Sequence, residues 1–225
     1  MSDTPAQHVP VPPPRPTELA AYLAARMCHD FISPASAIVS GLDLLEDPSA
    51  QDMRDEAMSL IGTSARKLSD LLSFTRVAFG ASATAETFDS RALEGLAQGV
   101  FAHMRAELDW QVEPPSVEKP VARALLNLAQ LGGAALPTGG KTLVRATQDE
   151  LGTVRLAVES QGPRARLRPE VLAGLKGEGM GEGLHGHWVQ AYYLHLIVRD
   201  AGGRLKAEAS DEKVTFAVLL PKPDA

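Results

Sequence analysis

The chain has one cysteine, no long apolar run and no excess of positive charge, and each shortage removes a class of explanation. Cys28 alone can neither close an internal bridge nor build a multi-cysteine zinc site, which agrees with a reducing compartment. No apolar stretch approaches the roughly 20 residues needed to cross a bilayer, and the N-terminus lacks the basic-then-apolar order of a signal peptide, so the expected location is the cytoplasm. With 22 Lys and Arg against 28 Asp and Glu, the net charge of −6 offers no bulk attraction for nucleic acid or anionic lipid. What is present is ordinary: 225 residues, 44% hydrophobic and 22% charged, suit a globular protein of one large domain or two small ones, and two is the expectation.

Residues 1–16 hold six prolines and few apolar side chains beyond Val9 and Val11, which predicts a disordered tail. From Thr17, a candidate N-cap, apolar residues return at helical spacing: Leu19, Leu23, Met27, Ile38, Leu42 and Leu45. Asp47–Pro48–Ser49 breaks that helix, and Ser49 with Asp52 resembles a capping box for a second one carrying Met53, Leu60, Ile61, Leu68, Leu71, Leu72 and Val77. The two predict an antiparallel hairpin over residues 17–79. A hairpin buries one stripe per helix and gains most by pairing with a second copy, so a homodimeric four-helix bundle is expected. Gly80–Ala85 reads as a joint.

The remainder, 86–225, reads as α/β. Helices are expected at Phe88–Leu108, Pro120–Leu136 and His187–Ala201, and a short strand at Trp110–Val112. A hairpin at Lys141–Thr147 and Thr153–Glu159 and two closing strands, Arg204–Ala209 and Lys213–Leu220, complete a mixed sheet covered on one face. Gly174–Gly186 reads as a glycine-rich loop.

On the first helix, at about 100° per residue, His29 points about 180° from the apolar stripe centred near Ile38 and Met27. Ser33, Ser36 and Ser40 fall within roughly 40° of it, a small polar lane that leaves the imidazole open to a partner. A neutral imidazole nitrogen can attack an aspartyl phosphate and hold the group as an energetic phosphoramidate. Exposed histidines are common on helices, so the wheel alone does not select His29.

Its neighbours do more. Cys28-His29-Asp30-Phe31-Ile32-Ser33-Pro34 resembles the H-box of histidine kinases, and Ala37–Leu45 continues the likeness. The resemblance implies that Asp30 assists the histidine as base or hydrogen-bond partner, and that Ser33 orients water or the phosphoryl group. The second segment resembles the ATP-binding domain of the same kinases, most clearly over Ala201–Ser210 and Val214–Pro221. The nucleotide residues depart from that pattern. The magnesium-binding asparagine of the family falls on Leu131, Ser160-Gln161-Gly162-Pro163-Arg164 stands where it has Asp-x-Gly-x-Gly, and Trp188–Ala191 stands where it has phosphate-cradling glycines. A serine cannot replace the adenine-binding carboxylate, and bulky side chains fill the space a triphosphate needs.

An acceptor hairpin joined to a degenerate ATPase-like domain resembles the ChpT-type histidine phosphotransferases of alphaproteobacteria over residues 17–225. That resemblance implies a phosphorelay controlling the cell cycle, from the receiver domain of a CckA-like hybrid kinase to CtrA-like and CpdR-like response regulators. No cofactor of its own is implied; Mg2+ would come with the receiver, whose acidic pocket holds it. Arg164, Arg166 and Arg168 are candidates for meeting an acidic receiver rim. His185 and His187 lack a third ligand, so no metal site is expected. A divergent ATP-dependent histidine kinase and a non-catalytic receiver-binding module are the competing readings.

Overall fold

The computed structural model describes residues 11–80, 86–180 and 185–222. Two long helices come first, α1 (Pro16–Glu46) and α2 (Arg54–Ala78), joined by a 3-10 turn at Pro48–Met53. The start of α1 lies one residue before the expected cap: Pro16 occupies the first turn, where its missing N–H costs nothing, and Glu18 reaches back to accept from the Arg15 backbone N–H at 2.9 Å. The expected Ser49–Asp52 capping box does not form. Asp47 caps the 3-10 turn, accepting from the backbone N–H of Ser49 at 2.8 Å and from its hydroxyl at 2.7 Å, and α2 follows Met53 with no side-chain cap.

The apolar stripe of α1 divides rather than facing one way. Only Pro34 and Gly41 are fully buried on this helix, a ridge against α2, while Ile38 and Met27 are half-covered. At Gly41 the helices approach so closely that a Cβ would lie 2.6 Å from Ile61 Cγ1. Ile32, Val39 and Leu42 on α1, and Met58 and Leu72 on α2, stay 47–62% exposed.

The second unit is a five-stranded sheet ordered β2-β4-β5-β7-β6, made of β2 (Ala106–Val112), β4 (Gly140–Gln148), β5 (Val154–Gln161), β7 (Lys213–Leu220) and β6 (Arg204–Ser210). Only β2 with β4 is parallel. A small antiparallel ribbon, β1 (Thr87–Asp89) with β3 (Ser116–Glu118), lies beside it. Helices α3 (Ser90–Phe101), α4 (Lys119–Ala134), α5 (Pro169–Leu175) and α6 (His185–Asp200) complete the unit, and α4 is apolar nearly all round because it is sandwiched between the sheet and the neighbouring helices. The far face of the sheet carries charged pairs such as Lys141–Asp109 at 2.7 Å and Arg145–Glu159 at 3.1 Å. The mixed sheet with helices on one face is as the sequence predicts.

Two element readings are corrected. The helix expected over Phe88–Leu108 stops at Phe101, and Ala106–Val112 is strand, because those residues complete the parallel edge beside β4. A seven-residue helix, α5, runs immediately before the glycine-rich loop, with Pro169 in its first turn.

The two units hold one another at two places. At the end of α2, Asn127 Nδ2 donates to the Ala78 carbonyl at 3.2 Å, the Arg123 guanidinium donates to the Gly80 carbonyl, and His103 Nε2 meets Asp70 Oδ2 at 2.9 Å. On the other side α1 lies on α6: Leu19, Tyr22 and Leu23 pack against buried Trp188, Val189 and Tyr192, with Tyr22 edge-on to Trp188 at 6.0 Å between centroids. The joint expected at Gly80–Ala85 lies, after Gly80, outside the described residues.

Candidate active site

His29 projects from the middle of α1 with its side chain 86% exposed, as the wheel predicts. Its Nδ1 lies 3.3 Å from Asp30 Oδ1. A carboxylate accepts only, so this contact holds the ring proton on Nδ1 and leaves the Nε2 lone pair facing solvent. Ser33 is exposed one turn further on, and Pro34 removes the N–H that would have bonded the Asp30 carbonyl.

Arg26 was no part of the sequence-derived site, yet it joins it. The other oxygen of Asp30, Oδ2, lies 3.6 Å from Arg26 Nε, four residues back, and the Arg26 side chain is only 13% exposed. The guanidinium also donates to the Gly186 carbonyl in the first turn of α6. Burial lowers the Arg26 pKa and the Asp30 charge acts in the opposite sense; arginine remains a cation throughout. The spacing of Arg26 and Asp30 was a readable signal for an ion pair, but not for one covered by a distant helix.

The three candidate arginines differ in exposure and partners. Arg164 and Arg166 are exposed on the loop after β5, where Arg164 adopts a left-handed backbone at φ 59°. Arg168 caps α5, 3.9 Å from Glu170. It is also close enough to His187 to lower that ring's pKa, an effect second to burial, and Arg26 adds to it, while Glu170 and then Asp30 act the other way. His187 therefore lies between the arginine loop and the His29 neighbourhood. No group of three or more metal-ligating side chains occurs among the described residues, and the His185–His187 pair falls partly outside them.

The residues that the sequence resemblance sets against the kinase nucleotide boxes are packed within the protein. Leu131, Arg166, Arg168 and His187 line a cavity of about 10 Å³, room for no more than about one water. Ser160 is fully buried, its hydroxyl 3.2 Å from that of Thr142. Trp188, Val189 and Ala191 are buried inside α6. Between α4 and α6, Gln190 Nε2 donates to Gln130 Oε1 at 2.7 Å and to Asn127 Oδ1 at 3.3 Å, so polar groups on these helices satisfy each other.

The model of the histidine phosphotransferase C-terminal domain matches residues 90–213. The chain belongs to that family. It is 34% identical over 201 residues to the protein phosphotransferase ChpT of Brucella abortus (strain 2308), covering 89% of this chain and 94% of the relative. The solved structure of a bacterial phosphotransferase superposes with a TM-score of 0.82 at 31% identity, over 93% of this chain and all of the other. The catalytic domain of the histidine kinase ThkA matches at 20% identity and a TM-score of 0.48, over 60% of this chain and 94% of that one. Among the described residues no helix of this family member is long and apolar enough to cross a membrane.

Proposed function

We propose that this phosphotransferase carries its phosphoryl group on His29, taking it from the aspartyl phosphate of one receiver domain and delivering it to the aspartate of another. The single observation behind this is an imidazole with Nδ1 turned to a carboxylate and Nε2 turned outward on an otherwise uncrowded helix face. In the forward step the Nε2 lone pair attacks phosphorus in line, an N–P bond forms, and the P–O bond to the receiver's aspartate breaks with that carboxylate leaving. The ring gains positive charge, and Asp30 stabilises it through the Nδ1 proton. Ser33, one turn away, is placed to orient the phosphoryl oxygens or water. Transfer to the second receiver is the reverse reaction, and each receiver brings its own Mg2+.

The partners proposed are the receiver of a CckA-like hybrid kinase and CtrA-like and CpdR-like regulators, in a cytoplasmic cell-cycle relay. Arg164, Arg166 and Arg168, on the loop that leads toward His187, present positive charge to an acidic receiver rim. The chain is proposed to act as a homodimer and without ATP. The filled nucleotide positions support the second point, and the exposed apolar residues of the hairpin support the first.

The test presents the pure protein with MgATP and, separately, with a phosphorylated receiver. Label acquired from the receiver alone, and lost in His29→Gln, is the expected result. Label acquired from ATP would establish a divergent kinase. Receiver binding without any label transfer would establish a non-catalytic binding module.

A further inference from the structure

We propose that Arg26 is a positioning residue for phosphoryl transfer, clamping the Asp30 carboxylate so that its other oxygen holds the Nδ1 proton of His29; this rests on His29 being the acceptor. Three side chains within about one turn of α1 form a chain: Arg26 Nε to Asp30 Oδ2 at 3.6 Å, and Asp30 Oδ1 to the neighbouring His29 Nδ1 at 3.3 Å. An exposed ion pair at this spacing would do little, because water competes for both ends. Here the guanidinium is covered, and it has a single carboxylate partner among the described residues. Burying a cation is tolerable only where it is paired, so the covered Arg26 guanidinium holds the Asp30 carboxylate beside it.

The cover comes from the second unit. Arg26 is anchored from above by the Gly186 carbonyl at the start of α6, while Tyr22, one turn earlier on α1, packs on Trp188 of the same helix. The ATPase-like unit thereby acts on the acceptor histidine without touching it: α6 fixes Arg26, Arg26 fixes Asp30, and Asp30 fixes the tautomer whose Nε2 is the nucleophile. Outer partners of this kind change activity by about 10- to 100-fold when removed, since a ring with the wrong tautomer presents a proton instead of a lone pair.

The experiment measures label transfer from a phosphorylated receiver, together with the tautomer ratio of His29 by nitrogen NMR, in the full-length protein. Arg26→Met, which preserves bulk, is expected to slow transfer about 10-fold and raise the fraction of ring protonated at Nε2. Arg26→Lys should recover most of both. Arg26→Met combined with Asp30→Asn should be no slower than Asp30→Asn alone, because the two act in series. Tyr22→Ala loosens the α6 cover over Arg26 but leaves the ion-pair side chains in place, and should shift both readouts in the same direction by less than Arg26→Met does.

Unchanged rate and tautomer in Arg26→Met, with wild type active, would overturn the proposal and leave the His29 reading standing. So would additive losses in the double variant. Absence of transfer to wild type His29 would overturn both.

Discussion

An imidazole that is 86% exposed contributes almost no packing, so its removal separates chemistry from stability. His29→Ala is expected to abolish phosphoryl acceptance while shifting stability by less than about 0.5 kcal/mol, the range of surface substitutions. Transfer assays run beside thermal melts check this, and a large fall in Tm would make the residue structural. His187 behaves in the opposite way. It is half-buried, with Arg168, Arg26, Glu170 and Asp30 as its charged neighbours, and burial followed by the two arginines holds its pKa below the ordinary histidine value of 6.5. The unfolded chain therefore takes up this proton first as pH falls. The stabilisation is complete well above pH 6.5, begins to be lost as pH drops through that value, and is gone below the depressed native pKa. His187→Gln, which cannot protonate, should flatten the fall of Tm measured between about pH 7.5 and 5. Identical slopes in the two proteins would refute it. His29 could be read from the sequence because exposure follows from helical phase, and the H-box likeness singled it out from other exposed histidines. Arg26 could not, because its burial is made by α6, some 160 residues further on.

At the scale of elements, the α1–α2 crossing depends on one residue having no side chain. Any Cβ at Gly41 would meet Ile61 Cγ1 at 2.6 Å and the Ala57 carbonyl at 3.2 Å, so a larger residue must push the helices apart. Gly41→Val should destabilise the protein by about 1–3 kcal/mol, despite the poor helix propensity of glycine, because overpacking outweighs the propensity gain. Chemical denaturation measures it; an unchanged midpoint would mean that the crossing relaxes freely. Element types were legible where periodicity was long and unbroken, as in both hairpin helices and in β7, whose expected bounds coincide with those observed. They were lost where a local pattern had two uses. Ala106 and Leu108 continue the apolar spacing of α3, yet pairing with β4 decides their conformation, and that partner lies about 30 residues away in sequence. Helix α5 was hidden by the glycines that follow it, although Pro169 and Glu170 mark a helix start.

Seen as a whole, the molecule satisfies itself at one end of the stem and not along its length. Near the ATPase-like unit, α1 and α2 are covered by α6, α4 and α3, and Asn127, His103 and Gln190 find polar partners there. On the outward sides of the hairpin, Ile32, Val39, Leu42, Met58 and Leu72 remain on the surface. Transfer of such side chains out of water is worth about 1.5–3 kcal/mol each when complete, so a cover over the set would gain several kcal/mol. The same face on a second copy supplies that cover with matched spacing and no net new charge, since an isologous interface puts each patch against its own equivalent. The stem is therefore expected to dimerise, giving a mass by light scattering of twice 23.9 kDa. Val39→Glu together with Leu72→Glu places two carboxylates per chain in that face and should yield a monomer. The five-stranded sheet and the α4 core lie outside the altered face, so near-ultraviolet circular dichroism of Trp110 and Trp188 should be retained. A dimer that survives both glutamates would place the interface elsewhere, and loss of the tryptophan signal together with dimerisation would mean that the second unit folds only on an assembled stem.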